Sequence, residues 1–341
     1  MKILAIETTC DETAAAIIDE SRKVVAAAVA SQEEIHNRFQ GVVPELAARC
    51  HLERIIPIVE QVLAEASVEP KRDLLAVAVA TEPGLPGSLL VGLAAAKGFC
   101  LGWGKPLIAI NHIQAHIYAC QMGHAESVFP CVGFVVSGGH TNLYRCETPN
   151  QWKYLGGTID DAVGEAFDKV SVMLGLPYPG GPHLSRLAER GDDRAFDLPR
   201  PMLSDTSHLN MSFSGLKTAV RYKLVGVGKQ DFAELDLPEA RKADVAASFE
   251  RAAIDCLVGK AKLALKSTGL RRLCVGGGVA ANRRLRKELQ LACDEMDAEL
   301  ILAAPDLCTD NASMGAIAWE KAERNEFSDL DIDVQPGLVR G

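Results

Sequence analysis

The sequence lacks the features that identify several common classes of protein. No apolar run reaches the roughly 18 residues that a membrane-spanning helix needs. The start, MKILAIETTC, carries an acid at Glu7 and shows no apolar signal region followed by a cleavage site. The ten cysteines include no C-x-x-C pair, which excludes a zinc ribbon and a thioredoxin-like motif. We therefore expect a cytoplasmic protein with reduced thiols and no membrane contact.

Positive charge and the commonest nucleotide-binding motifs are also scarce. A formal net charge of −9 over 341 residues argues against a protein that coats nucleic acid unaided. The basic clusters at 217–223, 271–272 and 283–287 are each typical of a solvated helix face, although together they could form a modest phosphate-binding surface. No G-x-G-x-x-G opens a helix after the first strand and no G-x-x-x-x-G-K-[ST] occurs, which excludes Rossmann and P-loop sites.

The segment HIQAH at 112–116 carries two histidines four positions apart. On a helix this spacing puts His112 and His116 on one face, close enough to hold one metal ion. A metalloprotease helix needs glutamate directly after the first histidine, where this chain has Ile113. Asp310, in the segment CTDN before another predicted helix, is a reasonable third ligand. Spacing alone leaves open a pair of purely structural histidines.

The pattern of apolar runs predicts a duplicated α/β chain. KILAIETT, AAAIID and KVVAAAVA form a predicted three-strand meander, and CVGFVVSGGHTNLYRCE repeats its strand, polar turn and strand. We expect an N-terminal lobe at 1–110 and a C-terminal lobe at 111–325, with a helical insertion at about 150–242. The remaining tail, 326–341, is acidic and contains Pro and Gly, so we expect it to be poorly ordered.

Three polar turns follow predicted strands: ETTCDET at 7–13, SGGHT at 137–141 and GGGVAAN at 276–282. Glycine lets the backbone approach an anionic group closely, and a helix that follows the turn adds a favourable dipole. Such turns at corresponding places in a duplicated chain predict a nucleotide between two β-hairpins. The expected fold is therefore a two-lobed actin-like (ASKHA/RNase H-like) or sugar-kinase-like ATPase, with mixed sheets.

Acidic residues are also concentrated in IDDAVGEAFDKV at 159–170. Asp161, Glu165 and Asp168 recur at the spacing of one helical face. A solvated helix face is the general explanation of such a pattern. The Pro/Gly run GLPYPGGP that follows can instead hold a helix end against a ligand.

Ten motifs occur together and in order: ETTCDET, GVVPELAAR, PGLPGSLLVG, the histidine pair, VSGGHT, DDAVGEAFDK, YPGGP, FSGLKTA, GGGVAANRRLR and CTDN. In these motifs the chain resembles the TsaD/Gcp/Kae family of tRNA adenosine threonylcarbamoyltransferases. The match runs from Lys2 to about Ala322. The resemblance implies an actin-like two-lobed fold and transfer of a threonylcarbamoyl group from threonylcarbamoyl-adenylate to N6 of the adenosine just 3′ of the anticodon in tRNAs reading ANN codons.

The resemblance also implies a set of site residues and partners. His112, His116 and Asp310 would hold one divalent ion, with Fe²⁺ favoured over Zn²⁺. From the residues of the first turn themselves, Asp11 or Glu12 is an acid/base candidate. The residues expected to contact the acyl-adenylate, or ATP or ADP in the same cleft, are Val135, Val136, Ser137, Gly138, Gly139, Asp168, Gly181, Ser185 and Asn282. The implied partners are tRNA, a TsaB-like paralogue and a TsaE-like ATPase.

Four positions depart from the usual family pattern: Asn111 and Gln114 around the histidines, Glu82, and Ser185 where aspartate is frequent. Two other functions remain as alternatives. A plain actin-like ATPase or sugar kinase would need an aspartate in the second hairpin turn, which here reads Ser-Gly-Gly-His. A non-catalytic scaffold of a tRNA-modifying complex would be expected to lose the histidine pair and Asp310, which this chain keeps.

Overall fold

The computed structural model describes residues 1–226 and 237–337, and it divides the chain into two compact units. The first unit comprises Met1–Ser127, Thr148–Gln151 and the segment from Ala303 onward. The second comprises Val128–Glu147 and Trp152–Leu302. Each unit contains a mixed sheet of five strands. Within the described residues, no helix is both long enough and apolar enough to cross a membrane.

The sheet of the first unit has the order β3-β2-β1-β4-β5. Its strands are β1 (Lys2–Glu7), β2 (Glu12–Asp19), β3 (Val24–Ser31), β4 (Leu74–Glu82) and β5 (Leu107–Asn111). Its helices are α1 (Glu33–Asn37), α2 (Pro44–Glu65), α3 (Pro70–Asp73), α4 (Pro86–Trp103), α5 (His112–Tyr118) and, near the carboxyl end, α11 (Ala318–Ala322). Strand β1 is antiparallel to β2 and parallel to β4, which is parallel to β5.

Both faces of strand β1 are covered, which explains why its middle, residues 3–6, is a continuous apolar run. On one face, Leu4 and Ile6 lie in a buried core that includes residues of α2 and α4. On the other face lies the 3₁₀ segment Ala312–Ile317, packed so closely that a Cβ added to Gly315 would lie 2.6 Å from the Cβ of Ala5. This packing places the chain around Asp310 in the first unit.

The segment after residue 325 is ordered as far as the structure describes it. The Ser328 amide donates to the Leu107 carbonyl at 2.8 Å, and the Gln335 amide donates to the Thr81 carbonyl at 2.9 Å. Ile332 and Val334 pack against the core of the first unit. The expectation of a poorly ordered tail is therefore wrong for 326–337, because two apolar side chains anchor it. Residues 338–341 lie outside the described part of the chain.

The second unit has a sheet of order β10-β9-β6-β7-β8. Its strands are β6 (Cys131–Val136), β7 (Thr141–Thr148), β8 (Gln151–Gly157), β9 (Arg272–Gly276) and β10 (Glu299–Leu302). Its helices are α6 (Val163–Met173), α7 (Gly180–Ala188), α8 (Ser214–Val225), α9 (Glu239–Thr268) and α10 (Arg283–Glu295). Strand β6 is antiparallel to β7 and parallel to β9, so both sheets follow one connectivity. The predicted duplication is confirmed.

The helical part of the predicted insertion begins later in the chain than expected. Strand β8 completes the second meander, whereas the sequence assigned its residues to the insertion. QWKYLGG is an edge strand with two exposed polar residues, so its apolar signal is weak. Helices α6 to α8 follow β8, and the part of the predicted insertion at 227–236 lies outside the described residues. The division into lobes at 1–110 and 111–325 stays a prediction.

Candidate metal centre and glycine turns

The histidine helix α5 begins directly after strand β5, and Asn111 fixes its start. The Asn111 side-chain oxygen accepts hydrogen bonds from the amides of Ile113 at 2.9 Å and Gln114 at 3.1 Å, a standard helix N-cap. Seven residues of helix then bring the rings of His112 and His116 to a centroid separation of 4.5 Å. Both rings are buried. Asn111, one of the departures from the family pattern, is thus explained as a capping residue.

Asp310 joins the two histidines. The next residue, Asn311, caps the 3₁₀ segment Ala312–Ile317 with its side chain. The Asp310 Oδ1 atom lies 3.0 Å from His116 Nε2 and 3.5 Å from His112 Nε2. The three candidate ligand atoms all lie within 4.8 Å of one another. The structure therefore brings together the three residues that the sequence predicted as metal ligands.

Glu7 lies behind His112 and was not predicted as part of the site. His112 Nδ1 donates to Glu7 Oε2 at 3.0 Å, and the Thr9 amide donates to Glu7 Oε1 at 2.6 Å. With its Nδ1 proton engaged, the imidazole presents Nε2 towards Asp310, and the neutral ring would offer its Nε2 lone pair to a cation there. A carboxylate behind a ligating histidine is a common arrangement in metal sites. An acid at the end of a buried strand was the available sequence signal.

The electrostatics of these residues fit a bound cation. Burial alone would lower the pKa of His112, but the charges of Glu7 and Asp310 outweigh it and raise that pKa to about 9. Burial, and then the charge of His112, lowers the pKa of His116. The His116 Nδ1 atom is buried and has no hydrogen-bond partner within the described residues. Two imidazoles and one carboxylate are donors that suit Fe²⁺ or Zn²⁺.

Asp11 and Glu12, the predicted acid/base pair, lie in the same unit. Glu12 opens strand β2. Its pKa is raised well above the ordinary range by burial and then by the negative charges of Asp310 and Asp11. Burial, with the charges of Asp11 and Asp310, likewise raises the pKa of the Cys10 thiol. Thr9 of the same turn contacts the candidate metal centre directly, since its Oγ1 lies 3.3 Å from His112 Nδ1.

In the second unit, the turn after β6 presents main chain rather than side chains. Val135 and Val136 are buried in the strand. The Ser137 amide donates to the His140 carbonyl at 2.7 Å, and the His140 amide donates to Ser137 Oγ at 3.1 Å. A Cβ added to Gly138 or Gly139 would meet nothing within 4 Å. The backbone of these two glycines is therefore open to a ligand.

Glycines beside this turn allow close packing instead. A Cβ on Gly164, in the first turn of α6, would lie 2.6 Å from the Ser137 carbonyl oxygen. Gly277 has a φ of +96°, and a Cβ there would lie 2.4 Å from the Val136 carbonyl oxygen. These two positions explain the glycines of DDAVGEAF and of the GGG turn as structural requirements.

Asp168 holds the start of helix α7. Its Oδ1 accepts hydrogen bonds from the amides of Gly180 at 2.7 Å and Gly181 at 3.2 Å. A Cβ on Gly180 would lie 2.3 Å from the Ser171 Cβ, whereas a Cβ on Gly181 would meet nothing within 4 Å. Gly181 therefore leaves open space beside the Asp168 carboxylate.

The predicted acidic helix face is wrong in one respect. Asp161 precedes helix α6, which begins at Val163, so Asp161 does not share a helical face with Asp168. It forms ion pairs with Lys169 at 3.1 Å and Lys217 at 2.5 Å instead. These pairs connect the DDAVGEAFDK motif to the FSGLKTA motif.

Ser185 and Asn282 meet at a buried acid that the sequence did not single out. Asn282 Oδ1 caps helix α10 by accepting from the Leu285 amide at 2.9 Å. Its Nδ2 donates to Ser185 Oγ at 2.9 Å and to Glu250 Oε1 at 2.8 Å. Burial raises the pKa of Glu250. An acid within the largely apolar buried face of α9 was the sequence signal for this cluster.

Solved structures define the class of protein to which this fold belongs. Full-length HypF in the phosphate- and nucleotide-bound form aligns over 96% of this chain and 47% of its own, with a TM-score of 0.60 at 15% identity. The (R)-2-hydroxyglutaryl-CoA dehydratase component A of Acidaminococcus fermentans aligns over 95% of this chain and 99% of its own, with a TM-score of 0.54 at 15% identity. These likenesses show the fold alone. The predicted fold, a duplicated α/β fold of the actin-like type, is confirmed.

Sequence comparison then gives the family. The model of the tRNA N6-adenosine threonylcarbamoyltransferase family matches residues 23–317. An enzyme of that name from Rhodopirellula baltica is 54% identical over 99% of this chain and 97% of its own length. The Moorella thermoacetica enzyme is 47% identical over 98% of this chain and 96% of its own length. The chain therefore belongs to the tRNA N6-adenosine threonylcarbamoyltransferase family, as its ten motifs predicted.

Proposed function

We propose that this chain transfers the threonylcarbamoyl group from threonylcarbamoyl-adenylate to N6 of the adenosine 3′-adjacent to the anticodon, in tRNAs that read ANN codons. Membership of the family supports this activity over nearly the whole chain. The observation that carries the proposal is the buried trio His112, His116 and Asp310 with Glu7 behind it. A sugar kinase or a silent scaffold has no evident need for that trio.

We propose that the trio holds one divalent ion, Fe²⁺ in preference to Zn²⁺. The converging Nε2 atoms of His112 and His116, and Oδ1 of Asp310, support this assignment. A bound ion supplies a Lewis acid that polarises an oxygen of the carbamoyl or phosphate group. The role of Glu7 is to keep the His112 ring in the orientation that ligation requires.

The proposed chemistry also needs a proton acceptor. A bond forms between N6 of the adenosine and the carbamoyl carbon, the bond from that carbon to the phosphate oxygen breaks, and AMP leaves. N6 gives up one proton in this step. We assign that proton to one of the two acids of the turn, Asp11 or Glu12. Glu12 must be ionised to accept it, and a cation held at Asp310 would offset the negative charge that, after burial, raises the pKa of Glu12. No protein nucleophile is required, because the tRNA base supplies the attacking amine.

In the second unit, we propose that the acyl-adenylate contacts the main chain of 135–139 and Gly181. The open space at Gly138, Gly139 and Gly181 supports this role. Asp168, Ser185 and Asn282 complete the proposed set, Asp168 by fixing the Gly181 amide. The same residues would bind ATP or ADP when either replaces the acyl-adenylate.

We propose a cytoplasmic complex in which a TsaB-like paralogue and a TsaE-like ATPase assist this chain. The charge distribution supports a partner that helps to hold tRNA. The net charge is −9, and members of the basic clusters pair with acids: Lys217 with Asp161, and Arg284 with Asp193, both at 2.5 Å. Much of the phosphate contact is then expected to come from other chains.

Reconstitution tests this proposal. Purified protein, its two partners, unmodified tRNA and threonylcarbamoyl-adenylate are combined, and the nucleoside is detected by mass spectrometry. We expect the modified nucleoside with the native chain and its loss in the His112→Ala/His116→Ala double variant. Full activity of the double variant would contradict the metal role. ATP hydrolysis without nucleoside modification would instead support a plain ATPase.

A further inference from the structure

A buried polar network lies behind the turn that carries Asp11 and Glu12, and the proposed chemistry does not use it. Its members come from β2, from the residue before α1, from α1 and from α2, and each is 0% exposed: Thr13, Gln32, His36 and His51. Burying four polar side chains is unfavourable unless each forms hydrogen bonds. The partners of these hydrogen bonds indicate what the network holds in place.

Three consecutive carbonyls of the turn, those of Thr9, Cys10 and Asp11, are each held from outside the turn. The donors are, in that order, the Leu85 amide at 2.8 Å, His51 Nε2 at 3.0 Å together with Ser88 Oγ at 3.3 Å, and the Gln32 amide at 3.0 Å. Two of these donors are main-chain amides. The Cys10 carbonyl, directly before the two acids, is thus the one that side chains hold.

His51 binds the chain on both sides of Asp11 and Glu12. Its Nε2 donates to the Cys10 carbonyl, and its Nδ1 accepts from the Thr13 hydroxyl at 2.8 Å. The Gln32 side-chain amide lies 3.4 Å from the same Nδ1. A carbonyl can only accept, so Nε2 carries a proton. The Thr13 hydroxyl and the Gln32 amide are both placed to donate to Nδ1, so we assign the ring as the neutral Nε2–H tautomer. Burial, which lowers the pKa of His51, acts in the same direction.

The turn has a physical reason to need such a clamp. It carries Asp11 and Glu12 close to carboxyls that are already present, because Thr9 of the same turn lies 3.3 Å from His112 Nδ1, and the His112 ring contacts Glu7 and Asp310. Like charges at short range repel, and the repulsion is strong in a buried setting. A turn held only by its own backbone would relieve that repulsion by moving outward. Two hydrogen bonds from one imidazole, at residues 10 and 13, oppose the movement.

We propose that His51 is a positioning residue for transfer: it holds the turn at 10–13 so that Asp11 and Glu12 keep their place beside the metal centre. This inference rests on the proposed function and assigns it one more residue. His51 touches neither the metal ligands nor any proposed substrate contact. Its effect is therefore expected on the rate of transfer rather than on substrate binding.

The kinetic test compares two substitutions of His51. His51→Leu removes both hydrogen bonds, and we expect kcat to fall about ten- to a hundredfold with KM for threonylcarbamoyl-adenylate unchanged. Glutamine offers one donor and one acceptor, so His51→Gln is expected to recover most of the rate. Val62→Ala, a core substitution on the same helix, is the control for simple loss of stability. Equal kcat for the leucine variant and the native chain would overturn the proposal.

A double-mutant cycle separates positioning from general damage. If His51 acts through the turn, His51→Leu has little further effect in a Glu12→Gln background, because the group it positions is already disabled. Multiplicative losses in the two variants would contradict the proposal. Thr13→Val provides a second route, since it removes the Nδ1 partner and leaves the imidazole in place.

One measurement does not depend on activity. Nitrogen-15 NMR of the histidine-labelled native chain is expected to show His51 as the neutral Nε2–H tautomer, shifting to a mixture in Thr13→Val. An Nδ1–H tautomer in the native chain would overturn the proposed contacts. If the native chain shows the expected tautomer but transfers no threonylcarbamoyl group, the proposed function fails while the clamp geometry stands.

Discussion

The two candidate site regions are built from different parts of the polypeptide. In the first unit the site consists of buried side chains, two histidines and an aspartate, with Glu7 held behind them. In the second unit it consists mostly of main chain at Gly138, Gly139 and Gly181, where added Cβ atoms would meet open space. One region offers side-chain ligands for a cation, and the other offers accessible main chain for an anionic or polar group.

This difference determines how each region tolerates change. A side-chain site loses its chemistry when one ligand is removed, while the fold around it persists. A main-chain site keeps its chemistry under most side-chain changes and loses it when a Cβ fills the open space. Some neighbouring glycines, such as Gly180, are required for packing instead. Substitutions can therefore distinguish ligand-facing from packing positions.

The largest effect is expected from removal of the carboxylate ligand. Asp310→Ala leaves two histidines, and we expect metal binding to be lost and the transfer rate to fall by about a thousandfold. Metal content by mass spectrometry and the nucleoside assay check both parts. Asp306→Ala, a change of an exposed acid in the same loop, is the matched control and is expected to retain activity. An Asp310→Ala variant that still binds metal and remains active would contradict the assignment of a side-chain metal site to the first unit.

A substitution of Glu7 tests whether metal binding in the first unit also depends on a residue that is not itself a candidate ligand. Glu7→Gln keeps the size of the side chain but weakens its hold on His112 Nδ1, so metal affinity is expected to fall about ten- to a hundredfold. Titration with a competing chelator measures it. Glu20→Gln, at an exposed acid, serves as the control. Unchanged affinity in Glu7→Gln would mean that the His112 ring is fixed by packing alone.

A pair of adjacent glycines tests the second site. Gly180→Ala puts a Cβ 2.3 Å from the Ser171 Cβ, so we expect a loss of about 1–3 kcal/mol in the free energy of unfolding. Gly181→Ala meets no protein atom and is expected to stay within about 0.5 kcal/mol of the native chain. Its KM for threonylcarbamoyl-adenylate is expected to rise. Denaturant unfolding measures the loss of stability, and steady-state kinetics measures the change in KM. An unchanged KM for Gly181→Ala would argue against substrate binding by the main chain at residue 181.

The sequence predicted well what depends on local pattern. The β1–β3 meander and the hairpin β6–β7 are runs of small and β-branched residues, so period and length located them. The candidate ligands His112 and His116 could be predicted as a pair because helical geometry fixes the separation of residues four positions apart. Glu7 was missed because its partner His112 lies 105 positions away, a distance that no local pattern encodes. Asp161 was misplaced for a related reason, since its lysine partners, rather than helical period, decide where it lies.

The smallest expected effect is on the pH dependence of stability. It concerns Glu250, the buried acid that accepts a hydrogen bond from Asn282 in the second unit. Burial raises the pKa of Glu250 above its ordinary value of 4.5, so the folded chain holds a proton that the unfolded chain has released. The stability of the native chain relative to Glu250→Gln is therefore expected to fall as pH rises from about 4.5 through the raised pKa. Above that pKa the difference levels off.

Glutamine preserves an acceptor for Asn282 Nδ2, so the substitution removes the titration while keeping the hydrogen bond made at 2.8 Å. Urea unfolding of both proteins at several pH values measures the difference. Glu239→Gln, at an exposed acid at the start of the same helix, should show no such pH dependence. A native chain that gains stability over Glu250→Gln with rising pH would mean that the Asn282 and Ser185 hydrogen bonds outweigh burial. The carboxylate would then be a charged element of the second site, and the contrast between a side-chain site and a main-chain site would no longer hold.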